Sequence, residues 1–70
     1  MHRIQCEVAG KVKFYQSSAL QHPHLTDNKD AADLFTWPNP GIMALSRTLD
    51  NSFEGTALAK IKSSIKTVEV

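Results

Sequence analysis

Apolar and polar side chains alternate strictly at the start of the chain. Ile4, Cys6 and Val8 are separated by Gln5 and Glu7. After Ala9-Gly10-Lys11, Val12 and Phe14 flank Lys13 and lead to Tyr15. A period of two marks strands, so residues 2–16 predict a β-hairpin. A three-residue loop at 9–11 sets Val8 opposite Val12 and Cys6 opposite Phe14. It also sets Glu7 opposite Lys13 and Gln5 opposite Tyr15 on the other face. A two-residue loop mixes apolar with charged partners, so side-chain pairing favours the longer loop. Gly10 fits that loop awkwardly, because the usual three-residue loop wants its glycine third.

Residues 17–26 show no period and predict a loop tied down by Leu20 and Leu25, with Pro23 biasing His22 away from helix. Asp27 can cap a helix over 28–36, with Asp30 in its first turn and Ala31, Leu34 and Phe35 inward. Trp37-Pro38 stops it. Asn39 as cap and Pro40 at the first helical position open a second helix. There Ile42, Leu45 and Leu49 share one face, Met43 flanks it, and the end falls near Asp50-Asn51. Phe53 anchors the next connection, and Thr56 can cap a third helix. Residues 57–70 fit both periods. Composition divides them into a helix over 57–65 and a strand over 66–70. The predicted fold is α+β: an N-terminal β-hairpin, three short helices and a C-terminal strand completing a small antiparallel or mixed sheet.

With 70 residues, 41% hydrophobic and 21% charged, the chain reads as a single small globular domain over 1–70. It is too short for a two-domain enzyme or a barrel. Cores this small usually need a staple. Cys6 is the sole cysteine, which excludes an intrachain disulfide, so self-association as a dimer or higher homo-oligomer is expected. The longest apolar run, Ile42-Met43-Ala44-Leu45, is far short of the roughly 20 residues that span a bilayer. No signal peptide precedes it, and a cytoplasmic, membrane-free protein is expected. Starting at Met1, the chain reads as a complete small reading frame.

Little of the chemistry points to catalysis. His22-Pro23-His24 lacks the paired ligand spacing of structural zinc sites, and Cys6 falls on the apolar strand face, so neither a metal nor another cofactor is expected. No nucleophile elbow or triad order is visible, and Asp30 and Asp33 suit an exposed helix face. An enzyme is not expected.

Two candidate surfaces remain. Around Trp37-Pro38-Asn39-Pro40-Gly41-Ile42, free helix N–H groups can hold an anion. Trp37 could stack on a planar group, with Asn39, Gly41, Ile42 and Arg47 lining the site. The plainer reading makes Trp37 core. Lys13, Lys60, Lys62 and Lys66 could form a basic partner-binding patch, although a solvated face is simpler. Net charge is only +1, with basic ends and an acidic middle. That balance, without interleaved aromatics, argues against nucleic acid.

Three functions follow in order of fit. The first is a small binding or regulatory protein acting stoichiometrically on a protein partner, of which a phage-type inhibitor of a host factor is one concrete version. The second is an oligomeric binder of a nucleotide-like anion at Trp37–Ile42. The third is an accessory nucleic-acid binder using the C-terminal lysines.

Overall fold

A computed structural model describes residues 1–70. Its elements are β1 (His2–Val8), β2 (Lys11–Tyr15), β3 (Leu25–Thr26), a 3-10 turn (Lys29–Ala31), β4 (Leu34–Phe35), α1 (Pro38–Ser52), α2 (Gly55–Ser63) and β5 (Lys66–Glu69). The fold is α+β, and all four strand pairings are antiparallel. β1 is the central strand. β5 lies along one edge of it, while β2 and β4 share the other in succession, and β3 extends the sheet beyond β2. The hand-over between β2 and β4 is a single bond, the Asp33 N–H donating to the Tyr15 carbonyl at 2.9 Å. Residues 16–32 are therefore an excursion that leaves the β1 edge and returns to it.

The hairpin departs from the pairing expected of its side chains. Gln5 lies opposite Phe14, Cys6 opposite Lys13, Glu7 opposite Val12 and Val8 opposite Lys11. The loop is two residues, Ala9 and Gly10, both left-handed at φ 52° and 79°. Positive φ at both positions is the type I′ turn, whose twist matches that of the strands it joins. This also explains Gly10, which occupies the second place of the shorter loop. Turn geometry overrides apolar pairing, and the slip by one residue sends Val12 and Phe14 to the opposite face from Cys6.

The middle of the chain is less helical than its pattern suggested. In place of a helix over 28–36 there is one 3-10 turn, capped by Asn28 rather than Asp27: the Asn28 side chain accepts from the Asp30 N–H at 3.0 Å. Ala32, not Ala31, is buried there. Leu34 and Phe35 are pulled into the sheet by pairing with Arg3 and His2. Leu20 anchors nothing, being 98% exposed.

α1 starts two residues earlier than expected. Trp37 is its cap residue, without a side-chain hydrogen bond, and Pro38 and Pro40 both sit in the first turn, where the missing N–H groups have no helical partner to lose. Its buried stripe is Gly41, Leu45, Thr48 and Leu49. Glycine is required at 41, since a Cβ there would lie 2.5 Å from Ile4 Cγ1 and 2.8 Å from Phe35. The helix ends when the Phe53 N–H returns to the Leu49 carbonyl at 2.9 Å. α2 opens at Gly55 after Glu54 rather than at a Thr56 cap, and contributes buried Ile61. Lys62 and Asp50, 2.6 Å apart, tie it to α1. Ser64 then accepts the Glu7 N–H at 2.8 Å, and β5 follows as expected.

Both helices lie on one face of the sheet. The core is Ile4, Cys6, Leu45, Leu49 and Ile61, ringed by partly buried Val8, Tyr15, Leu25, Phe35, Ile42, Phe53, Leu58 and Ile65. No helix is long and apolar enough to cross a membrane.

Candidate functional site

The other sheet face carries no helix. Residues opposite each other across a ladder point to the same side, so the register fixes its membership. Leu34, Arg3 and Val68 form one row, and Phe14, Gln5 and Lys66 another, with Val12 beside Glu7. Met1 and Val70 extend it, joined by the Val70 N–H to Met1 carbonyl bond at 2.8 Å, and the Thr36 hydroxyl reaches Met1 Sδ at 3.6 Å. Met1, Phe14, Leu34, Val68 and Val70 thus lie about Arg3, while Val12 stands farther along the face beside Glu7. Met1, Val12, Leu34 and Val70 are exposed, Leu34 by 48%, while Phe14 and Val68 are partly buried.

Arg3 is the polar centre of this face. Its Cζ lies 5.3 Å from the centroid of the Phe14 ring, within cation–π range. Its Nε is buried with no hydrogen-bond partner. The only two ion pairs in the protein are Lys13–Asp27 and Lys62–Asp50, so no carboxylate neutralises Arg3.

The residues singled out from sequence are scattered. Trp37 is 73% exposed, which corrects its assignment to the core. The physical reason is its place as the cap of α1, outside the helix, with Phe35 and Ile42 already filling the adjacent apolar positions. Asn39 is exposed, Ile42 half-buried, and Gly41 closed against Ile4 and Phe35, so no ligand reaches the backbone there. Arg47 stands ten residues beyond Trp37, about 15 Å along the helix axis, in a different cleft. The lysines do not form one patch either. Lys13 is on the helix-covered face of β2, held by Asp27, and Lys62 is held by Asp50. Lys66 lies on the open sheet face beside Gln5, and Lys60 is exposed on α2.

The chain matches no family model, no curated protein and no solved structure.

Burial pushes the Cys6 thiol up to about 11, so it is a protonated core side chain at neutral pH rather than a thiolate. No three histidine, cysteine, aspartate or glutamate side chains converge as metal ligands. The pairing expected from the sequence puts the apolar residues of the hairpin on one side, which hides the open face. The signal that could have found it is Ala9-Gly10 itself: a two-residue turn places even-numbered residues of β2 opposite odd-numbered residues of β1.

Proposed function

We propose that this is a small non-catalytic binding protein that acts stoichiometrically, seating a partner protein on the open face of its sheet. The observation that carries this reading is the cluster of Met1, Phe14, Leu34, Val68 and Val70 about an unpaired arginine. Small soluble domains rarely leave a contiguous apolar surface bare unless something covers it. Arginine within an apolar surround is a recurrent anchor of protein interfaces. The chemistry of the occupant follows: an apolar protein surface with a carboxylate at its centre, able to meet the Arg3 guanidinium as the apolar rim excludes water. Exposed Trp37, just beyond the Thr36 end of the face, offers a second anchor.

Capture from a cell extract tests this. Immobilised wild-type chain, Leu34→Asp and Leu20→Asp are compared, each first shown folded by circular dichroism. One protein retained by the wild type and Leu20→Asp but lost from Leu34→Asp is expected. Retention by all three would contradict the reading. If the retained species is the chain itself, the occupant is a second copy.

A further inference from the structure

A cleft on the helix side of the molecule lies outside the open face. It has a volume of about 220 Å³ and separates α1 from the excursion after β2. One wall is Arg47, Thr48 and Asn51, which share a side of α1. The opposite wall is Tyr15, His22 and His24. No carboxylate lines it, and Arg47 has no ion pair.

Thr48 supplies an independent sign that something is missing. It is only 7% exposed, and its Oγ1 has no hydrogen-bond partner. Buried threonines in helices commonly bond back to the preceding turn, and an unmet buried hydroxyl is costly. Threonine has two accessible χ1 settings in a helix, so rotation can present the hydroxyl to the cleft.

The facing wall is held firmly. His24 has a left-handed backbone, φ 62°. Its N–H donates to the Gln21 carbonyl at 2.8 Å, and its carbonyl accepts from the Gln16 N–H at 2.9 Å. Its Nδ1 lies 2.8 Å from the Ala19 carbonyl, so Nδ1 carries the proton and the ring is fixed against the loop. The His22 ring stands edge-on to it with centroids 4.3 Å apart. Burial and then Asp33 raise the Tyr15 pKa, keeping its phenol a hydrogen-bond donor.

We propose that this cleft binds a small tetrahedral oxyanion, either inorganic phosphate or the phosphate end of a small phosphomonoester. Arg47 and Thr48 line one wall and Tyr15 the other, so a guanidinium fork, a hydroxyl and a phenol are available as donors to an ion with acceptor oxygens in several directions. The volume is below the roughly 300–1,000 Å³ of pockets for drug-sized ligands, so the occupant is small.

Titration of isotope-labelled protein followed by NMR decides the matter. Sodium phosphate, glycerol phosphate and sodium chloride are compared at matched ionic strength. Saturable shifts at His22, His24, Arg47 and Thr48 are expected with phosphate and absent with chloride. Equal binding of glycerol phosphate identifies a phosphomonoester site, and binding of inorganic phosphate alone a site closed to substituents. Arg47→Gln, at an exposed position, should weaken binding about tenfold or more. Thr48→Val should weaken it with the fold intact, since its hydroxyl has no partner to lose. Non-saturating shifts shared with chloride, or unchanged affinity in Arg47→Gln, would overturn the proposal.

Discussion

The two faces of the sheet are built from neighbouring residues of the same strands and have opposite fates. On β1, Ile4 and Cys6 are closed off beneath α1 and α2, while Arg3, one position away, sits on the bare side among Phe14, Leu34 and Val68. Apolar content does not separate the faces, since both carry a cluster. What separates them is cover. The helix-covered face holds the fold, and the bare face keeps apolar area that folding does not use. The chain buries only eight of its 70 residues and leaves Met1, Val12, Leu34 and Val70 exposed on the bare face, which is the surface the proposed partner would cover.

The most damaging change should fall on the covered face. Leu49→Ala removes a fully buried side chain and should cost about 2–5 kcal/mol, much of the stability of a domain this small. Urea denaturation should show the midpoint collapsing. A loss of only a few tenths would mean that α1 does not carry the core.

Gly41→Ala probes the closest approach on the same face. Its Cβ would meet Ile4 and Phe35 at 2.5–2.9 Å, and over-packing of this kind costs about 1–3 kcal/mol. A thermal melt unchanged from the wild type would show that α1 can move off the sheet freely.

The turn decides which residues reach the bare face, and it can be tested by a gain. Ala9 holds a left-handed backbone that asparagine tolerates better. Ala9→Asn should raise stability by about 0.5–1 kcal/mol in denaturant titration. A neutral or negative result would favour the three-residue loop, returning Val12 and Phe14 to the covered face.

The smallest effect concerns Asp27, the exposed partner of Lys13. The hydrogen bond and charge of Lys13 hold its carboxyl below the usual aspartate range. The stability it contributes is complete above the ordinary aspartate pKa near 4 and is lost as pH falls through the lower folded value. Asp27→Asn should flatten that part of the acid limb in melts recorded between about pH 2 and 5. An identical limb in the variant would show the pair to be energetically silent.

Much of this was legible in the chain. The hairpin strands, the apolar stripe of α1, the helix-then-strand division of residues 57–70 and the α+β class all follow from period and composition. The register did not, because pairing logic assumed a single apolar face whereas two left-handed residues at 9 and 10 outweighed it. Residues 28–36 misled because Leu34 and Phe35 gain ladder hydrogen bonds with β1 that local propensity cannot foresee. Trp37 stays outside the core because a cap residue before proline lies outside the helix it starts, a position that side-chain size does not reveal. Arg47 lies far from Trp37 and shares its cleft with His22 and His24, which only the excursion brings opposite it.

The central proposal is that the bare sheet face, and not the exposed apolar loop position at Leu20, is where a partner protein sits. Site-specific photo-crosslinking in living cells tests it most directly. A photoreactive residue is placed at position 34 on the bare face and, separately, at position 20, whose leucine is 98% exposed in the loop. The account predicts one dominant protein adduct from position 34, abolished by Arg3→Glu, and none from position 20. Equal labelling from both positions, or an adduct at 34 indifferent to Arg3→Glu, would contradict it.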